Sequence, residues 1–236
     1  EVILKAFHEF GIKAFSLFDG MWAIVIYDIK KDIIIASRDQ FGIKPLYYSI
    51  DPQKSIFLYS ELKVACGLFP FIKTKVNFSQ LNAFVMNKDI DGESSTFLED
   101  CFQIKPGEIL IFSNTSIVKR ENLSIYTNNN FSENFKKDMR LKEIMQDSVD
   151  RRLISDIPVV LNQSGGIDSS IIHFHISKKV KYNTYSYIDI NKPDKQEIEG
   201  ISKINSFFKK SYKKISPNYS EIFDDWSDHI FAMDGP

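Results

Sequence analysis

The stretch Val159-Val160-Leu161-Asn162-Gln163-Ser164-Gly165-Gly166-Ile167-Asp168-Ser169-Ser170-Ile171-Ile172 sets an apolar run of strand length before a small polar turn and an apolar helical start. In a parallel sheet, ligands bind at the carboxyl end of a buried strand, where the chain turns into a helix. Gly165 and Gly166 let the backbone approach an anion closely and take up positive φ. The first helical turn offers N–H groups that lack intrahelical acceptors, at the positive end of the helix dipole. Ser164, Ser169 and Ser170 add hydroxyl donors, and Asp168 is the residue type that shares a magnesium ion with phosphate oxygens. Together these features describe a pyrophosphate cradle.

Other glycine-rich turns fit less well. A Walker A loop needs a lysine directly after its last glycine, and no lysine follows Gly166 until Lys178. A dinucleotide fingerprint needs Gly-x-Gly-x-x-Gly, which is absent. A hydrolase nucleophile elbow needs a small residue two positions before the serine, where Asn162 stands. A ligand-free Gly-Gly turn between strand and helix remains the structural alternative.

Around this turn the chain alternates strands and helices. Leu141, Ile144, Met145, Ser148 and Val149 form a helical stripe, Ile157–Leu161 reads as a buried strand, and Asp168–Lys179 as a helix. Thr184–Ile190 reads as the next strand, Ile198, Ile201, Ile204 and Phe208 mark a further helix, and Glu221–Met233 a last one. This rhythm predicts a parallel sheet with crossover helices. Upstream, the pattern differs. Val2–Phe10 reads as a helix stopped by Gly11. Met21–Tyr27 is apolar on both alternating sets, which predicts a strand covered on both faces, with Ile33–Ala36 as its partner across Asp28–Asp32. A tight bend leads into a strand near Tyr47-Tyr48, then Ile56–Tyr59, and a short helix capped by Ser60 and ended by Gly67. Asn77–Met86 reads as a helix, and Glu108–Phe112 pairs with Ile117-Val118 across Asn114-Thr115. The polar segment 127–134 reads as a linker between domains 1–126 and 135–236.

The 236 residues are 43% hydrophobic and 26% charged, enough for one to two domains with real cores. Thirty basic against thirty-one acidic side chains leave no field that attracts nucleic acid or an anionic membrane. Even Phe207-Phe208-Lys209-Lys210-Ser211-Tyr212-Lys213-Lys214, aromatic and basic, reads better as a helix end entering a strand. No apolar run approaches the ~20 residues of a membrane span. Two cysteines, Cys66 and Cys101, make no disulfide framework, and no secretory segment opens the chain, so a cytoplasmic location is expected. His173 and His175, two apart on a helix, point to different faces and make a poor metal pair. Arg38-Asp39 at the tight bend reads as a structural ion pair.

Ser164-Gly165-Gly166-Ile167-Asp168-Ser169-Ser170 resembles the PP-loop of ATP pyrophosphatases that adenylate a substrate. The lead-in Arg151-Arg152-Leu153-Ile154-Ser155-Asp156-Ile157-Pro158-Val159 narrows the resemblance to glutamine-hydrolysing asparagine synthetases. Phe18-Asp19-Gly20-Met21-Trp22-Ala23, Arg38-Asp39-Gln40-Phe41-Gly42-Ile43-Lys44-Pro45-Leu46-Tyr47-Tyr48 and Ser60-Glu61-Leu62-Lys63 resemble the second half of that family's glutaminase domain. Ile104-Lys105-Pro106-Gly107-Glu108 resembles its Pro-Gly hairpin entry. The resemblance implies an α/β chain: part of an αββα-sandwich N-terminal-nucleophile glutaminase (1–126), then part of a Rossmann-like PP-loop domain (135–236). It implies an ATP site at Gln163, Ser164, Gly165, Gly166, Asp168, Ser169 and, by a looser alignment, Ile188. Gln163 stands where the family usually has leucine, whose main chain contacts adenosine; Ile188 matches an aliphatic adenine contact. ATP and Mg2+ are the implied cofactors, with Asp168 the implied magnesium partner.

The family hydrolyses glutamine with an amino-terminal cysteine and passes the ammonia to an adenylated aspartate, giving asparagine, AMP and pyrophosphate. By resemblance, the nucleophilic cysteine and the glutamine-holding residues fall before Glu1, and a Ser-Gly-Glu-Gly-x-Asp-Glu stretch falls beyond Pro236. The chain opens and closes in apolar stretches, so both termini read as cut, and neither half-reaction is expected of these residues alone. Cys66 and Cys101 are expected to be inert thiols. The expected partners are ATP, aspartate and glutamine, with no nucleic acid or membrane; homo-oligomerisation is left open. Two alternatives stand: a scaffold relative that amidates another carboxylate, such as a sugar acid or β-lactam precursor, and a truncated product that only binds a partner.

Overall fold

A computed structural model describes residues 1–51, 53–68, 75–87, 94–114, 116–123, 137–176, 180–216, 219 and 224–234. The expected linker 127–134 lies outside the described residues. The chain divides into two compact units, Glu1–Asn128 with Asp225–Pro236, and Asn129–Asp224. Among the described residues, no helix is long and apolar enough to cross a membrane.

In chain order the first unit contains α1 (Val2–Phe10), a 3-10 helix (Gly11–Leu17), β1 (Ala23–Asp28), β2 (Ile33–Arg38), β3 (Tyr47–Ile50) and β4 (Ile56–Tyr59). It continues with α2 (Lys63–Leu68), α3 (Phe78–Asn87), β5 (Cys101–Gln103), β6 (Glu108–Ser113) and β7 (Ser116–Asn122). Apolar side chains line both faces of β2 and β6 because a strand sends alternate residues to opposite sides. Ile33, Ile35, Ile109 and Ile111 join Phe15, Trp22 and Leu123 on one face, where Phe7 of α1 packs. Ile34, Ala36, Leu110 and Phe112 meet Leu46, Tyr48, Phe102 and Ile104 on the other. The first sheet, in the order β1-β2-β6-β7, therefore stacks on a second, β4-β3-β5, both antiparallel. Leu62 and Ala65 at α2 cover the outer face of the second sheet against Tyr59 and Cys101. Helix, sheet, sheet, helix is the expected αββα order.

Three local expectations change. The doubly covered strands are β2 and β6, whereas β1 is an edge strand with Val25 and Tyr27 exposed on one face. Cys101 opens β5, a strand that the sequence reading does not contain; three residues are too few to show a period. Gly67 lies inside α2, and Ser60 does not cap it. The Asp234 carboxylate does, accepting from the main-chain N–H of Leu62 and, at 2.7 Å, from that of Lys63. Asp234 follows α7 (Trp226–Met233), whose Phe231 carbonyl accepts from Lys63 Nζ at 2.9 Å.

The second unit contains α4 (Lys137–Arg152), β8 (Val159–Asn162), α5 (Ile167–Ile176), β9 (Tyr182–Tyr187), α6 (Lys195–Phe207) and β10 (Tyr212–Ile215). The strands form a parallel sheet in the order β10-β9-β8. The predicted β8 is buried only in part: Leu161 is enclosed with Val149, Leu153, Ile176 and Tyr182, while Val160 and Ile157 are exposed. β8 stands last in this sheet order, and its core lies on the face that carries Leu161.

Candidate nucleotide-binding site

The turn Gln163–Gly166 leaves the carboxyl end of β8 and enters α5. Gln163 extends the parallel ladder by one residue, its N–H donating to Tyr185 O at 2.8 Å. The adjacent β9 delivers Ile188 to the same sheet edge, where its side chain is buried and its N–H donates to Ile215 O at 2.8 Å. The sheet topology thus brings Gln163, Ser164, Gly165, Gly166, Asp168, Ser169 and Ile188 to one edge.

The two glycines act through space, not through φ. Neither Gly165 nor Gly166 is in the left-handed region, contrary to the sequence-based expectation. A Cβ on Gly165 would stand 2.7 Å from Glu197 O, and one on Gly200 would stand 2.9 Å from Gly165 Cα. The loop therefore rests on the first turns of α6 with bare backbone on both sides. Asp194 fixes that end of α6, its carboxylate accepting from Gln196 N and Glu197 N at 2.9 and 3.2 Å. Gly200 escapes a motif search, but a glycine inside a helix costs about 1 kcal/mol against alanine, a signal that something packs closely there.

The serines of the turn are tied to one another and to its backbone. Ser164 Oγ lies 3.0 Å from Ser169 Oγ and accepts from Gly166 N at 3.2 Å. Ser169 Oγ accepts from Ser164 N at 3.2 Å and from Gln163 Nε2 at 2.9 Å. Ser170 is not the free donor expected: its hydroxyl donates to the carbonyl of Gly166, the residue just before α5, at 2.6 Å. Asp168 is exposed in the first turn of α5, and among the described residues no hydrogen bond or ion pair engages its carboxylate.

Both histidines of α5 are buried, each against a glutamine. His173 Nδ1 lies 2.8 Å from Gln163 Oε1, and His175 Nδ1 lies 2.9 Å from Gln146 Oε1. Burial, aided by the positive charge of Lys210, pushes the His173 pKa down from its ordinary value. Among the described residues, no cluster of three or more potential ligand side chains could hold a metal.

Two family models match the chain: a glutamine amidotransferase domain over residues 1–123 and an asparagine synthase over residues 140–236. The chain belongs to the glutamine-hydrolysing asparagine synthetase family. Asparagine synthetase 3 of Bacillus subtilis is 26% identical across all of this chain, over 41% of its own length. Asparagine synthetase B of Escherichia coli is 31% identical over 73% of this chain and 26% of its own length. The amidase chry2 of Gibberella zeae is 28% identical over 78% of this chain and 27% of its own length. The chain thus spans between 26% and 41% of these relatives' lengths.

In the amidotransferase part of this asparagine synthetase family member, Arg38 and Asp39 build the bend after β2. Asp39 is fully buried and accepts from the N–H groups of Trp22, Phe41, Ile43 and Lys44 at 2.9–3.3 Å. Arg38 donates to the carbonyls of Gly42, Lys44 and Ile104 at 2.7–2.8 Å. The pair organises backbone. Cys101 is buried in β5, and Cys66 is exposed on α2, so only one of the two expected inert thiols is inert by burial. Partial burial and the neighbouring Cys101 and Asp234 push the Cys66 thiol pKa up, which disfavours a reactive thiolate.

Proposed function

We propose that the β8–α5 turn holds the β- and γ-phosphates of ATP while the α-phosphorus is transferred to a carboxylate, as a step in glutamine-dependent asparagine synthesis. Residues 1–126 are then the glutaminase portion and residues 135–236 the start of the ATP-dependent synthetase portion. The observation that supports this most is the loop itself: serine hydroxyls and bare glycine backbone at the carboxyl end of β8, seated against α6, beside the open carboxylate of Asp168.

A carboxylate is a poor acyl donor until one of its oxygens becomes a leaving group. Its oxygen attacks the α-phosphorus, the bond from that phosphorus to the bridging oxygen breaks, and the electron pair leaves with pyrophosphate. Ammonia then attacks the acyl carbon and AMP departs. The Ser164 hydroxyl, the Gly165 N–H and the first-turn N–H groups of α5 would take up charge that grows on the departing pyrophosphate. Asp168 fits magnesium, which is held by one or two carboxylates together with phosphate oxygens and water. When bound, the ion supplies positive charge against the leaving group. Gln163 and Ile188 lie where adenosine would meet the sheet edge; the Gln163 N–H is already spent on Tyr185 O, so its carbonyl is the main-chain group left to reach it.

Similarity to the amidase chry2 favours a second reading, in which another carboxylate is amidated on the same scaffold. Product analysis of the complete enzyme separates the two. With ATP, aspartate and glutamine, equal amounts of asparagine, AMP and pyrophosphate are expected. The same nucleotide products with a different carboxylate, and none with aspartate, select the second reading. ADP and phosphate as products overturn both.

A further inference from the structure

We propose that Gln163, held by a neutral His173, is a positioning residue that turns the Ser164 hydroxyl proton outward to the bound pyrophosphate. This rests on the pyrophosphate reading above and adds a residue pair that the loop motif does not contain.

The orientation of the Gln163 amide follows from what surrounds it. Its Nε2 touches the main-chain carbonyl of Ser164, which can only accept, and lies 2.9 Å from Ser169 Oγ. The amide nitrogen therefore faces the loop, and Oε1 faces His173 Nδ1 at 2.8 Å. Because Oε1 can only accept, Nδ1 must carry a proton. A second proton would sit on Nε2, which is buried with no hydrogen-bond partner among the described residues. The Phe208 ring stacks on the imidazole at 4.4 Å, Tyr182 meets it edge-on, and the nearby positive charge of Lys210 opposes a further cation. His173 is thus a neutral Nδ1–H imidazole, the less common tautomer, and it prevents the Gln163 amide from turning over.

The consequence reaches the loop through lone pairs. Ser169 Oγ has two, and both are filled, by Gln163 Nε2–H and by Ser164 N–H. Its own proton goes to Ser164 O at 3.0 Å or Gly166 O at 3.3 Å. Ser169 then has no lone pair left for Ser164 Oγ–H, although the two oxygens are 3.0 Å apart. Ser164 Oγ accepts from Gly166 N and keeps its own proton for an oxyanion outside the loop. Without the Gln163 amide, Ser169 Oγ regains a lone pair, and the Ser164 proton can turn inward to it.

The test uses the full 236-residue chain, titrated calorimetrically with inorganic pyrophosphate in the presence of magnesium, alongside 15N NMR of its histidine rings. Gln163→Leu is expected to weaken binding about tenfold, the scale of one misdirected hydrogen bond to a charged group. His173→Phe should do the same, and the double variant should be no weaker than Gln163→Leu alone, because the two residues act as one unit. NMR should show a protonated Nδ1 and a bare Nε2 on His173, shifting to the Nε2–H form in Gln163→Leu; a purely structural role would not produce that change. Unaltered binding by Gln163→Leu, additive losses, or an Nε2–H His173 in the wild type overturns the positioning role and leaves the cradle standing. Failure of the wild-type chain to bind pyrophosphate overturns the cradle, and the positioning role with it.

Discussion

Gly165 and Gly200 meet backbone to backbone: a Cβ on Gly200 would lie 2.9 Å from Gly165 Cα, nearer than real side chains approach. The β8–α5 turn is therefore braced from behind by a helix that shows no side chain at the point of contact. Gly165→Ala and Gly200→Ala should each destabilise the second unit by about 1–3 kcal/mol, the usual cost of overpacking. Gly166→Ala should cost less, since its Cβ would meet only Ser164 Oγ, at 3.3 Å. Urea unfolding of the three variants gives the order, and an equal effect from all three would contradict the bracing.

The buried His173 gives the second unit a pH dependence of known sign. Its folded pKa lies below the ordinary 6.5, so between the two values the unfolded chain binds a proton that the folded chain refuses. Stability is then full above about pH 6.5 and is lost as pH falls toward the folded value. In urea unfolding from about pH 7.5 to 5, His173→Phe should lose less stability than the wild type. Equal losses would show that His173 does not stay neutral in the fold.

Asp39 should matter for folding well before it matters for chemistry. Its fully buried carboxylate is the acceptor for four main-chain N–H groups around the bend at residues 39–44. Asp39→Ala leaves those donors unpaired, at about 1–3 kcal/mol for each one that finds no water. A loss of at least about 3 kcal/mol in unfolding free energy is expected. A loss below about 1 kcal/mol would mean the bend holds itself.

Asp234 caps α2 from 171 residues away in the chain, through the N–H of Lys63 at 2.7 Å. Asp234→Ala should cost about 1 kcal/mol, typical of a lost N-cap. The loss should appear as faster amide exchange at Leu62 and Lys63. Unchanged exchange there would place the cap elsewhere.

The β1–β2 and β6–β7 pairings were legible because apolar runs flank short polar turns, but the β2–β6 pairing joins strands far apart in sequence, and the double coverage expected of 21–27 falls on β2 and β6 instead. The loop was readable because serine, glycine and aspartate are crowded where a strand becomes a helix. β5 was hidden by its length, and the true cap of α2 by its separation in sequence, which no local pattern encodes. The partners of Gln163 were also out of reach. His173 looked like a bland helix residue, and only the turn of α5 brings it beneath Gln163. Positive φ was the wrong reason for Gly165; a neighbouring helix, invisible to a local motif, supplies the right one.

The central claim is that the β8–α5 turn, with Asp168 beside it, is where ATP is split to pyrophosphate. Asp168→Asn in the complete enzyme, assayed for aspartate-dependent exchange of labelled pyrophosphate into ATP and separately for glutamine hydrolysis, tests it most directly. The prediction is loss of exchange by at least about a hundredfold, the scale for removing transition-state charge stabilisation, with glutamine hydrolysis within about twofold of wild type. Exchange that survives the substitution, or both activities falling together in a folded protein, would contradict it.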